Sequence, residues 1–174
     1  MLEHTRFMAR YNRWMNERLY ACAAGLPDEE RRRDRGAFFG SIHRTLAHLV
    51  LADKIWLGRF AEQGVRFEAL SASVLARPDF TGLDQVLFDD FDEMRSHRAE
   101  LDAAIEAWAA EMTPAYVQQT MRYASTKGAP REHPLWQALS HFFNHQTHHR
   151  GQVTTLLLQA GVDPGVTDLI ALVK

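Results

Sequence analysis

The sequence predicts an all-α fold, a helical bundle built as one domain over residues 1–174. Three observations predict it. Four long segments place apolar residues at the 3.6-residue period of a helix. Stop and cap signals separate those segments. The 174 residues, 46% of them hydrophobic, suffice for one core and show no internal repeat, low-complexity tract or interdomain linker.

The first helix is expected from about Leu2 to Ala24, with Phe7, Met8, Tyr11, Trp14, Met15 and Cys22 on one side. Gly25-Leu26-Pro27 stops it. The run Arg31-Arg32-Arg33 follows acidic residues and reads as a solvated loop. A second helix starts after Gly40, with Ser41 as N-cap. Its stripe of Ile42, Leu46, Leu49, Trp56 and Phe60 ends near Gly64.

A looser stretch containing Arg77-Pro78 follows. Thr81 is expected to cap a third helix carrying Leu83, Val86, Leu87, Phe91, Met94, Leu101, Ile105 and Trp108. Between Tyr116 and Tyr123 the content turns β-branched and aromatic, and Lys127-Gly128 is a turn signal. A small strand pair or extended excursion therefore precedes the last long helix. That helix runs from about Pro134 to Gly161, whose glycine is placed to close it. The apolar tail Asp168–Val173 is expected to dock on the body.

Composition excludes several function classes. A formal net charge of −2 favours neither a nucleic-acid backbone nor an anionic membrane surface. No segment approaches the ~18 uninterrupted apolar residues of a membrane span. The polar N-terminus lacks a signal-peptide apolar core, so a cytoplasmic protein is expected. Cys22 is the single cysteine, which rules out an intrachain disulfide. It reads as a small buried core residue rather than a catalytic thiol.

The chemistry concentrates in the last helix. Four of the nine histidines (His141, His145, His148 and His149) fall within nine residues. His145 and His149 are four apart, so both imidazoles project from one face, the spacing at which one helix offers two nitrogens to one ion. On a 100° wheel, Leu135, Leu139, Phe142, Val153, Leu157 and Ala160 define the core arc. His149 lies inside that arc and His145 at its edge; His141 is farther round and His148 points away. Gln146 and Arg150 also face inward, although burying unpartnered polar groups costs roughly 1–3 kcal/mol each. A packing-only sequence would place leucine at these positions, so a metal site is the better account of the pair.

A third ligand should come from another helix. His48 is the best candidate, at the edge of the second helix's apolar arc and one turn before the small Ala52. His43 is about 140° round from it. His4 and His97 lie in charged surroundings and are expected to be exposed, and His133 adjoins the last helix's entrance as a cap. Asp53, mid-stripe on the second helix, is expected either to accept hydrogen bonds from Arg150 or orient a ligand imidazole, or equally to be a partly exposed acid at a bundle end. Carboxylate-bridged di-iron bundles need Glu-x-x-His, and zinc proteases need His-Glu-x-x-His; neither pattern occurs. Three neutral imidazoles with open positions suit Zn²⁺, Ni²⁺ or Fe²⁺.

Asn144-His145-Gln146-Thr147-His148-His149-Arg150-Gly151-Gln152 resembles the C-terminal signature of the DinB-like (DNA-damage-inducible) family. His48 within His48-Leu49-Val50-Leu51-Ala52-Asp53-Lys54-Ile55-Trp56 resembles its second-helix motif. Tyr11-Asn12-Arg13-Trp14 and Asp168-Leu169-Ile170 resemble its first helix and its ending. The resemblance implies a four-helix bundle with a long crossover, often a homodimer, and a three-histidine metal site of His48, His145 and His149. It also implies kinship with metal-dependent thiol transferases and isomerases that use low-molecular-weight thiols. The expectation is therefore a metal-dependent transferase or hydrolase, with a metal-activated thiol or water attacking a small electrophilic substrate and Arg150 or Tyr123 steadying substrate charge. The competing expectation is a non-catalytic, metal-stabilised dimer with a stress-response or binding role.

Overall fold

Four long helices carry the fold in the computed structural model, which describes residues 1–76 and 79–173. Helix α1 spans Leu2–Ala24, and the single turn α2 spans Asp28–Arg32. Helix α3 spans Ile42–Ala61, and the short α4 spans Ala72–Leu75. Helix α5 (Phe91–Glu111), the turn α6 (Pro114–Val117), strands β1 (Thr120–Ala124) and β2 (Pro130–Pro134), and helix α7 (Leu135–Gln159) follow. A 3₁₀ turn at Leu169–Leu172 ends the described chain. Helix α1 packs on α5 and α7, and α3 packs on α7 and more lightly on α5, so the four long helices close into a bundle. The expected all-α bundle with a small hairpin is what forms.

Local chemistry explains most boundaries. The Ser41 hydroxyl accepts from the Arg44 amide and starts α3. At the end of α7, Gly161 takes φ +80°; its amide donates to Leu158 and that of Val162 to Leu157. This pair of bonds is the glycine-closed helix end that the sequence signals. The hairpin is antiparallel, with Met121 opposite His133 and Tyr123 opposite Arg131. The core is aromatic at one end, where Phe60, Trp108 and Phe142 meet at ring separations of 4.9–6.0 Å.

The structure corrects several expectations. Helix α5 begins at Phe91, capped by the Asp90 carboxylate accepting from the Glu93 amide, and not at Thr81. Residues 81–90 stay unwound because their carbonyls are engaged elsewhere: Leu83 O faces His48 and Phe88 O faces His43. The arginine run contributes to the helical turn α2, where Arg32 pairs with Asp28 and Asp89. Cys22 is half-buried rather than buried. His97 is half-buried against Phe88, while His4 is exposed as expected. His133 does not cap α7; it meets the Tyr123 hydroxyl at 3.2 Å. Leu169 and Leu172 of the tail pack on the core as expected. The stretch at Arg77-Pro78 lies outside the described residues.

Candidate metal centre

Helix α7 brings His145 and His149 onto one face, and α3 brings His48 opposite them. The Nε2 atoms of His48 and His145 are 3.3 Å apart, and those of His149 and His145 are 3.1 Å apart. Ligand atoms of all three lie within 4.8 Å of one another, and no other comparable group occurs among the described residues. Nitrogens bound to one ion at 2.0–2.1 Å would sit about 2.9–3.4 Å apart for angles between octahedral and tetrahedral. Both separations from His145 Nε2 fall in that range.

Hydrogen bonds on the far side of two rings define which nitrogen is bare. His48 Nδ1 lies 2.8 Å from the Leu83 carbonyl, which can only accept, so this nitrogen carries the proton. His149 Nδ1 lies 2.8 Å from the Gln152 side-chain oxygen and is protonated for the same reason. Both Nε2 atoms therefore turn lone pairs toward His145 Nε2. A single N–H on His145 can serve one of them at a time, leaving the other contact lone pair against lone pair. A divalent cation satisfies all three nitrogens together, so the donor set fits a metal.

Electrostatics favours the same state. Burial, reinforced by neighbouring imidazole charge, pushes the pKa of His48 down to about 4 and that of His145 to about 3. Burial also lowers His149, against the opposing bond from Gln152. All three are neutral ligands at pH 7. Phe39, from the loop before α3, stacks on His48 with ring centroids 4.0 Å apart and covers one side of the trio.

Two clefts open onto the trio. One, of about 480 Å³, is walled by Phe38, Phe39 and Leu83, with His148, Gln152 and Asp84 at its edge. The other, of about 280 Å³, runs along α3 past Ala52 and Trp56 to Arg59, with Tyr123 and His141 opposite. His48 and His145 line both.

Behind the trio, a buried polar network joins all four long helices. Arg98 donates to Asp53 at 2.6 Å and pairs with Asp102 at 2.8 Å. Asn12 and Asn16 donate to Asp102, Gln146 donates to Asp53, and Arg150 donates to Asn12. Asp102 and Asp53 outweigh the cost of burial at Arg98 and hold its pKa above the ordinary value. Burial lowers that of Arg150 to about 10.

Gln146 and Arg150 face inward as the helical wheel predicts, but Asp53 has other partners than expected. Its carboxylate meets Arg98 and Gln146, and it contacts neither Arg150 by hydrogen bond nor a ligand imidazole. Arg150 bonds Asn12 and Thr147, lies over the Tyr11 ring and lines neither cleft. Tyr123 does line a cleft beside the trio. No sequence pattern marks Leu83, Phe39 or Gln152 as neighbours of the trio. The Asp90-x-x-Glu93 cap and the first-turn acids Asp92 and Glu93 are the signals that would have ended the third helix short of Leu83.

Comparison with known proteins gives the family and the fold. The family model described as DinB family matches residues 1–173. Protein DinB of Bacillus subtilis (strain 168) is 23% identical over 158 residues, covering 91% of this chain and 87% of the relative. The crystal structure of a DinB-like protein from Bacillus cereus ATCC 10987 aligns with a TM-score of 0.59 at 25% identity, covering 87% of this chain and 90% of that one.

Proposed function

The chain belongs to the DinB family, and on that footing we propose that it is a divalent-metal protein acting on a small electrophilic substrate as a transferase or hydrolase. His48, His145 and His149 would hold the ion, with zinc or nickel the best match to an all-imidazole set and iron next. The observation that carries this reading is the convergence of three Nε2 atoms, two of them bared by the acceptors Leu83 O and Gln152 Oε1. When bound, such an ion supplies Lewis acidity that lowers the pKa of a thiol or water beside it.

The chain's own residues do the rest. Leu83 and Gln152 hold their imidazole protons at Nδ1 and fix the ring planes. Phe39 excludes water from the face of His48. The two clefts give a substrate, and a low-molecular-weight thiol if one is used, separate approaches to the same centre. Tyr123 is placed to meet a substrate; Arg150, fully enclosed, supports the helix instead.

A purely structural metal, the competing reading, is usually closed by a fourth protein ligand. His148 Nε2 is 3.4 Å from the Gln152 amide nitrogen and exposed, and the His141 ring is 5.8 Å from that of His145. Neither is in the group of converging ligand atoms, which favours an open position. Homodimer formation and a cytoplasmic setting belong to the same proposal and rest on the resemblance and the sequence. Among the described residues no helix is long and apolar enough to cross a membrane. The test is metal stoichiometry by elemental analysis of untagged protein: wild type should hold about one ion per chain and His149→Ala close to none. Equal content in both would refute the assignment.

A further inference from the structure

The loop before α3 holds an aromatic ring in solvent at the mouth of the larger cleft. Ala37-Phe38-Phe39-Gly40 is a turn closed by the Gly40 amide donating to the Ala37 carbonyl at 2.8 Å, and the Arg35 amide donates to the Gly40 carbonyl at 2.8 Å. Gly36 and Gly40 take φ of +72° and +78°, the left-handed region open to glycine, so the turn is tied at both ends. The central positions of turns ordinarily hold polar residues, proline or glycine. Here both are phenylalanines. Packing accounts for Phe39, which is 8% exposed and stacked on His48. It does not account for Phe38, which is 83% exposed.

The surroundings of Phe38 do account for it. Its ring meets that of Phe39 edge-on with centroids 4.9 Å apart, and Phe39 lies 4.0 Å from His48 and 5.5 Å from His149. Phe38 therefore stands one ring beyond two of the three imidazoles. Leu83 lines the same cleft and is 47% exposed, while its carbonyl is held by His48. Uncovered apolar surface is thus gathered around one opening rather than scattered, which marks a binding site. The polar groups at the edge are engaged with neighbours. Gln152 accepts from His149 Nδ1 and its amide nitrogen lies 3.4 Å from His148 Nε2, and Asp84 is 3.8 Å from the Arg44 guanidinium. No arginine or lysine is among the described residues that line the cleft.

Resting on the proposed metal reading, we infer that this cleft seats the body of the electrophilic substrate, that this body is neutral and carries an aryl group, and that Phe38 is its specificity-determining contact. An aryl ring suits the site because aromatic pairs gain from edge-to-face or offset contact beyond the area they bury. An apolar cavity of about 150 Å³ already holds benzene, so a cleft of about 480 Å³ takes a ring and leaves space for the reacting group beside the trio. An anionic body would shed its water against phenylalanine and leucine with no cation lining the cleft to replace it. The closed turn holds the Phe38 loop in place before a ligand arrives, which spares the ordering cost of binding.

Three hydroxamates titrated calorimetrically into zinc-loaded protein test the assignment: propanohydroxamate, 3-phenylpropanohydroxamate, and the phenyl compound with a carboxylate para on its ring. They share one metal-binding head and differ only in the tail. The phenyl probe should bind roughly ten-fold more tightly than propanohydroxamate, and the carboxylated probe should lose most of that gain. Phe38→Ala should bring the phenyl and plain probes together, and Phe38→Leu should keep part of the difference. Because the side chain is exposed, both variants should fold and take up zinc as wild type does. Equal affinities of the phenyl and plain probes in wild type, a gain that survives Phe38→Ala, or a full gain kept by the carboxylated probe would overturn the subsite and leave the trio standing. A wild type that takes up no zinc would overturn the reading of the trio, and this inference with it.

Discussion

The Gln146 carboxamide donates to Asp53 Oδ1 at 2.9 Å, tying the residue next to His145 on α7 to a residue five past His48 on α3. The same carboxylate accepts from Arg98 on α5 through its other oxygen. All three imidazoles thus sit on elements fixed to each other by one buried acid. Removing it would leave the buried cations Arg98 and Arg150 with Asp102 as the one buried carboxylate of the network, an excess of positive charge in the interior.

Asp53→Ala should therefore destabilise the protein by about 3–5 kcal/mol, the usual cost of breaking a buried pair from one side. Gln146→Leu should cost less, about 1–2 kcal/mol, because it removes a neutral donor and leaves the ion pair in place. Urea unfolding of metal-free protein measures both. A smaller loss for Asp53→Ala than for Gln146→Leu would show that the network does not bind the helices as described.

Gln152 isolates a different contribution. Its side-chain oxygen accepts from His149 Nδ1 and so bares Nε2, yet the residue is only half-buried and lies outside the core. Gln152→Leu should weaken metal affinity about 10- to 100-fold, typical for loss of a partner behind a ligating imidazole. Thermal stability of the metal-free protein should change little. Competition with a chromophoric chelator gives the affinity, and an unchanged value would remove Gln152 from the centre.

Much of this was legible in the sequence, and the boundary of what was legible is physical. His48, His145 and His149 can be brought together because helical period decides which residues share a face; α3 starts at its Ser41 cap and α7 closes at Gly161, while α3 stops at Ala61, short of Gly64. Asp53 meets Arg98 and not Arg150, a choice a helical wheel does not resolve because it gives direction but not depth. Which of two inward arginines is nearer depends on how α5 sits against α3, and no local pattern encodes that. Residues 81–90 carry an acceptable helical stripe. They unwind because Leu83 and Phe88 give their carbonyls to imidazoles 35 and 45 residues away, a tertiary demand that overrides local preference.

Lys54 offers a test of the crossover. Its side chain is 2% exposed, and its ammonium donates to the Val74 and Ala76 carbonyls, each at 2.7 Å. These close the C-terminal end of α4, whose start is capped by the Ser71 hydroxyl accepting from the Val74 amide. Lys54→Met preserves the apolar stem and removes the donors, so residues 70–76 should become the first cleaved by a nonspecific protease. Global stability should fall by about 1–2 kcal/mol. Cleavage elsewhere first, with this segment intact, would show that the lysine does not anchor the crossover.

The trio also dictates how the metal-free protein responds to acid. The folded-state pKa values of His48 and His145 are depressed to about 4 and about 3, and that of His149 is lowered too; in the unfolded chain each returns to about 6.5. Below that value the unfolded chain takes up protons that the folded protein refuses, so stability is fully present above about pH 6.5 and declines as pH falls toward 4. Each imidazole that stays neutral contributes up to about 1.4 kcal/mol per pH unit to that slope, and buried His43, lowered by desolvation, adds in the same sense. Urea midpoints of metal-free protein at pH 7.5, 6 and 5 should fall in that order, and His145→Leu should flatten the series. A midpoint that holds constant from pH 7.5 to 5 would mean that the three imidazoles take up protons in the folded state as readily as in the unfolded chain.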